Sequence, residues 1–136
     1  MINEFTFYDY IDADGSGTNV IKRWLNGDGK VAKAYFTMLI SYLEKSPPPG
    51  FSGSFWTEPH TKIMKGKWVG FIELRKTGRV QYRLITKMDG RQVFLVACGV
   101  HKGQKYTTDV SPQTAAIRVT RMMNNPRNYR RKHDFG

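Results

Sequence analysis

The sequence predicts an α+β domain of about four strands, with two helices between the first strand and the other three and a C-terminal helix. Two patterns lead to this expectation. Residues 68–100 hold three successive strand-like apolar runs broken by glycine-containing turns, and residues 31–43 and 112–123 on either side repeat apolar residues at helical spacing. A chain of 136 residues is long enough to bury one core, so a single domain over residues 1–123 is expected, followed by a basic, flexible tail over 124–136.

Taken in order, Phe5, Phe7, Tyr8 and Ile11 suit a first strand, and the Asp-Ala-Asp-Gly-Ser-Gly run that follows is a turn by composition. Asn19 suits the N-cap of a short helix through Trp24 and Leu25. Val31, Ala34, Tyr35, Met38, Leu39, Tyr42 and Leu43 fall on one helical stripe, which must end before Pro47-Pro48-Pro49 because consecutive prolines lack N–H donors. Residues 51–66 are aromatic and glycine-rich without a period and read as a loop with some ordered packing. Strands are expected at 68–76, 80–87 and 91–100. Asp89-Gly90 makes a hairpin turn, and the continuous apolar run of the last strand suits a central position buried on both faces. Ser111-Pro112 gives an N-cap and a proline at the first helical position; Ala115, Ala116, Val119, Met122 and Met123 form the apolar face of the helix that follows.

Charge is distributed unevenly. Residues 1–60 carry seven acids and five bases, a net of −2, whereas residues 61–136 carry 17 bases and four acids, a net of +13. A polyanion-binding surface therefore belongs on the second half. No apolar stretch approaches the roughly 18 residues that a spanning helix requires, and the acidic start does not resemble a signal peptide, so a cytoplasmic protein without membrane association is expected. The lone Cys98 lies in an apolar run and reads as a packing residue. Asp12 to Thr18 copies the start of a calcium loop, but Asn19 and Arg23 stand where that loop needs an aliphatic residue and a bidentate glutamate, which leaves a polar turn. Three scattered histidines give no metal-ligand spacing, and no metal is expected.

Basic and aromatic residues thread the three strands and their outlet: Arg75, Tyr82, Arg83, His101, Lys102, Lys105 and Tyr106. If Arg75 and Arg83 share a groove, their guanidinium forks suit phosphate oxygens, with Lys102 and Lys105 arriving from the next loop. The alternative is a set of solvated edge charges that keep the sheet soluble. His101 beside Lys102 is either a neutral imidazole able to take a proton near neutrality or a structural strand-end residue.

The order of these motifs resembles toxins of the RelE/ParE superfamily, most closely the phage-derived HigB-like branch. The resemblance runs from Phe7-Tyr8-Asp9-Tyr10, Asn19 and Trp24-Leu25 through Gly70-Phe71-Ile72-Glu73-Leu74-Arg75, Gly78 and Tyr82-Arg83-Leu84. It continues through His101-Lys102-Gly103-Gln104-Lys105 into a helix with Ala115 and Arg118. It implies a RelE-like fold, a single twisted antiparallel sheet with the N-terminal helices on one face, and the toxin of a type II toxin–antitoxin pair that cleaves messenger RNA on the ribosome, without metal or cofactor, by attack of the ribose 2′-OH on the adjacent phosphorus. On this resemblance Arg83, Lys102, Lys105 and His101 form the catalytic set, with His101 or a lysine as acid or base. Arg75, Tyr82, Tyr106, Lys62, Lys65 and Arg118 hold RNA. The implied partners are a helix-turn-helix, HigA-like antitoxin, the ribosome with its messenger RNA, and operator DNA only through the antitoxin. Gyrase poisoning of the ParE kind and a non-catalytic DNA-binding module of a phage or mobile element are the competing readings. Tyr129 lies in a tail the family does not usually have, and the loop 51–61 exceeds the usual length.

Overall fold

The computed structural model describes residues 4–134. Its strands are β1 (Thr6–Tyr10), β2 (Thr61–Ile63), β3 (Ile72–Lys76), β4 (Val80–Asp89), β5 (Gln92–Lys102), β6 (Lys105–Thr108) and β7 (Arg130–Lys132). The helices are α1 (Val20–Asn26), α2 (Lys33–Lys45), α3 (Pro112–Asn124) and the single turn α4 (Pro126–Tyr129). The expected sheet of about four strands thus has seven among the described residues, in the order β2-β3-β4-β5-β1-β7 with β6 also on β5. Two of the additional strands, β2 and β7, are only three residues long and show no alternation in sequence. The sheet is mixed, because β1 runs parallel to β5 while the other pairs are antiparallel.

Strand β5 organises the molecule. One edge pairs along its length with β4; the other is shared, with β1 against Gln92–Leu95 and β6 against Gly99–Lys102. Where β1 and β6 diverge, side chains satisfy the exposed backbone. Asp109 Oδ1 accepts from Cys98 N at 2.8 Å, and Arg118 Nη1 donates to Val96 O at 2.8 Å and lies 3.2 Å from Asp109 Oδ2. A bulge places Ile85 opposite Ala97 and Thr86 opposite Leu95, so Val96 is the extra residue. Val96 and Ala97 consequently join one core layer and Cys98 the other.

Helices cover both faces. Ile21 and Leu25 of α1 and Phe36, Leu39, Ile40 and Leu43 of α2 pack on Phe7, Leu74, Leu84, Val93 and Leu95. Ala115, Val119 and Met122 of α3 pack on Tyr10, Ile85, Phe94 and Val96. The stripe expected on α2 is displaced: Phe36 and Ile40 face the core, while Val31, Met38 and Tyr42 are exposed. This helix is apolar on two faces, and periodicity alone does not choose between them. On α3, Met123 is exposed and Ala116 also lies outside the core. The caps agree with expectation, since Asn19 accepts from Lys22 N at 2.9 Å and Ser111 accepts from Thr114 N at 3.2 Å. Trp68 and Val69 fall in a tight turn before β3, so the strand expected at 68–76 is shortened to Ile72–Lys76.

Within the segment expected as a flexible tail, Pro126–Tyr129 forms α4 and Arg130–Lys132 joins the sheet as β7. Strand β7 pairs with β1, His133 N donates to Phe7 O at 2.8 Å, and buried His133 Nδ1 lies 2.7 Å from Asp9 Oδ1. Arg130 lies over the Tyr8 ring at 4.4 Å, so the tail is held by backbone pairing and cation–π contact instead of an apolar stripe. Residues 135 and 136 of that expected tail lie outside the described residues. The calcium-like segment closes as a polar turn, with Asp12 Oδ2 accepting from Ser16 N at 3.2 Å. Among the described residues no helix is long and apolar enough to cross a membrane.

Candidate anion-binding cleft

Helix α3 packs mainly on β5, and the residues of β2, β3 and the start of β4 on the same face lie beyond it. Period-two geometry then lines up residues on that surface. Register places Lys62 opposite Glu73, Arg75 opposite Arg83, Arg83 opposite Gly99, Gln81 opposite His101, and His101 opposite Tyr106. The result is a cleft of about 320 Å³ whose lining includes Lys62, Lys65, Glu73, Arg75, Arg83, His101 and Tyr106.

Glu73 is the hub. It is only 3% exposed, and its carboxylate lies 3.1 Å from Arg75 Nε and 3.4 Å from Arg83 Nε. Its second oxygen accepts a short hydrogen bond from the Tyr106 hydroxyl. Two arginines directly opposite each other on neighbouring strands repel, and the carboxylate one register step away offsets this. Glu58 adds a longer contact to Arg75 at 3.7 Å.

Arg83 is 1% exposed, so its cost of burial is high and its guanidinium proton is held less tightly than usual, with Glu73 opposing the shift. One terminal nitrogen donates a short hydrogen bond to Gln81. The contacts to Glu73 are charge contacts without hydrogen-bond alignment: Arg75 Nε, Arg83 Nε and Arg83 Nη1 are buried with no hydrogen-bond partner among the described residues. Arg83 Nη1 is thus a buried guanidinium donor without a hydrogen-bond partner, beside the charge contacts that hold both Nε groups to Glu73.

Tyr106 reaches from β6 to β3 because Gly99 leaves room. A Cβ at position 99 would lie 3.0 Å from the Tyr106 ring and 3.2 Å from Thr107 O. The His101 ring stacks on Tyr106 with centroids 5.7 Å apart and planes 17° apart. Burial, and then the bond to Glu73, push the Tyr106 hydroxyl far above its ordinary range, so it stays a donor.

The sequence-derived set divides. Arg75, Arg83, His101, Tyr106, Lys62 and Lys65 converge on the cleft. Lys102 and Lys105 do not line it. They are paired with each other one residue beyond His101 and before Tyr106, so strand alternation sends them to the opposite face. Tyr82 also belongs to that face, packing edge-on to Trp24 at 6.2 Å within the core. Arg118 is committed to Val96, Asp109 and the Tyr10 ring, 4.7 Å away. Tyr129 stacks on Tyr10 and donates to Asp14. The sequence reading gave Glu73 no role. Its signal was the Glu73-Leu74-Arg75 spacing, which places an acid and a base on one side of a strand in a half of the chain with only four acids.

Among the described residues no group of three His, Cys, Asp or Glu side chains is arranged to hold a metal ion. No protein-family model, no curated protein and no solved structure matches the chain.

Proposed function

We propose that the cleft binds the phosphodiester backbone of single-stranded RNA and cleaves it by attack of the 2′-OH, in the setting of a toxin that inhibits translation and is neutralised by a helix-turn-helix antitoxin. The observation that carries this reading is the buried Arg83 guanidinium with unmet donors beside Arg75, on a cleft that also holds His101 and Glu73. The order of motifs that resembles HigB-like toxins supports the messenger-RNA substrate and the ribosomal setting.

In the reaction, the 2′-oxygen forms a bond to phosphorus as the bond to the 5′-oxygen breaks, leaving a cyclic phosphate and a 5′-hydroxyl. A proton must leave the 2′-OH and another must reach the departing 5′-oxygen. Glu73 and His101 are the acceptor–donor pair the cleft offers: the carboxylate takes the first proton and the imidazolium gives the second. Arg75 and Arg83 meet the negative charge that grows on the non-bridging oxygens, the usual role of preorganised donors. Lys62 and Lys65 attract the chain. Lys102 and Lys105 have no part in this chemistry.

The test is single-turnover cleavage of messenger RNA with translating ribosomes, comparing the wild type with Arg83→Met and His101→Ala. Met fills the buried volume without charge and leaves Glu73 with Arg75, so folding is preserved. Each variant is expected to lose about 100-fold or more of the rate, with wild-type products ending in a cyclic phosphate. Salt-dependent RNA or DNA binding without cleavage would replace the enzyme with a binding module, and DNA breaks with intact transcripts would point to a gyrase poison.

A further inference from the structure

A second cavity of about 370 Å³ adjoins the cleft, lined by Pro49, Trp56, Glu58, Thr61, Ile63 and the same Lys62 and Lys65 that line the first. The two cavities therefore meet at a pair of exposed ammonium groups. Their walls differ in chemistry. The first is guanidinium, carboxylate and imidazole; the second combines apolar Pro49 and Ile63 with hydroxyl groups, the Trp56 indole and the Glu58 carboxylate, which lies 3.7 Å from Arg75.

Two features of the second cavity lack an internal explanation. Ile63 is 64% exposed on the short edge strand β2, opposite Ile72 of β3. Trp56 is 4% exposed and fixed by Phe7, stacked at 5.8 Å, and Phe5, edge-on at 5.2 Å, yet its Nε1–H has no hydrogen-bond partner among the described residues. A buried indole donor is normally satisfied. An apolar wall, an unmet donor and a cationic junction match one nucleotide of a single strand: a base with a carbonyl acceptor, and the phosphate that joins it to its neighbour.

We infer that this second cavity is a nucleotide subsite flanking the phosphate that reacts in the cleft, so the protein takes at least two consecutive nucleotides. The inference rests on the proposed function for the cleft. The base lies against Ile63 and Pro49 with a carbonyl toward the Trp56 indole, and Lys62 and Lys65 hold the linking phosphate. The loop 46–60 and β2 thereby become the elements that select the substrate.

Equilibrium binding of two probes separates this inference from the reading it rests on. Inorganic phosphate reports the cleft alone. A uridine trinucleotide with 2′-deoxy sugars reports cleft and subsite together without reacting, because it has no attacking hydroxyl. For the wild type the trinucleotide is expected to bind about tenfold or more tightly than phosphate, the scale of one well-held base. Ile63→Glu places a negative charge in the second cavity at an exposed position and so preserves the fold. It is expected to abolish the trinucleotide's advantage while phosphate binding stays at the wild-type value. Trp56→Phe keeps the aromatic packing, removes the donor, and is expected to weaken only the trinucleotide. If phosphate binds through Arg83 and Ile63→Glu leaves trinucleotide affinity unchanged, the subsite is overturned and the cleft stands. If neither probe binds, the cleft reading fails and the subsite with it.

Discussion

Glu73 shows how a single acid defines a basic site. Without it, Arg75 and Arg83 would face each other as like charges across two strands with only the longer Glu58 contact to Arg75, and one of them is almost fully buried. With it, the guanidiniums are held in place by charge contact while several of their N–H donors stay unmet. Cys98 is the opposite case, a reactive residue type put beyond reach. Burial pushes its thiol well above the ordinary range, nearby Asp109 adds to the shift, and the side chain sits in the core facing α1 and α2. Cys98 is therefore expected to resist thiol-alkylating reagents at neutral pH and to be labelled only when unfolding exposes it. Labelling of the folded protein at the rate of a free thiol, followed by mass spectrometry, would contradict this placement.

At the scale of elements, the hairpin β5–β6 decides what the cleft contains. One hairpin presents His101 and Tyr106 to the cleft and Lys102 and Lys105 away from it. Gly99 supplies the clearance that lets the Tyr106 ring lie across β5 toward Glu73. Gly99→Ala is expected to push the ring and the Thr107 carbonyl outward, break the Tyr106–Glu73 bond and cost about 1–3 kcal/mol of stability, measured by urea unfolding. A variant as stable as the wild type would mean that β6 gives way without strain. The same hairpin explains why the lysines misled a reading from residues alone: closeness in sequence brought them near the right place, but alternation put them on the wrong face. Helix α2 gave a similar ambiguity, since both its buried and its exposed faces are apolar.

For the whole molecule, the relevant quantity is a charge of +11, made up of −2 over residues 1–60 and +13 over residues 61–136. The structure gathers part of that excess on two surfaces. Lys62, Lys65, Arg75 and Arg83 belong to the cleft, while Arg130, Arg131 and Lys132 form the outer edge of the sheet on β7. RNA held by the cleft and its lysines is expected to lose affinity with salt at a log–log slope of about −2, from about three phosphates neutralised at roughly 0.7 each on a single strand. Filter binding over a salt series checks it, and a flat dependence would remove the phosphate-binding role.

The sequence by itself determined the order of the longer elements, the helix caps at Asn19 and Ser111, the hairpin at Asp89-Gly90, the burial of Cys98 and the half of the chain that carries the charge. These depend on local rules: turn chemistry, capping and the apolar content of short runs. Only the tertiary structure decided that β1 lies parallel against β5, that residues 130–132 close the sheet, and that Glu73 joins Arg75, Arg83 and Tyr106 while Lys102, Lys105, Tyr82 and Arg118 point elsewhere. Those outcomes depend on strand register, the bulge at Val96 and the limited reach of α3. All three are relations between segments distant in the chain, which no local pattern of residues encodes.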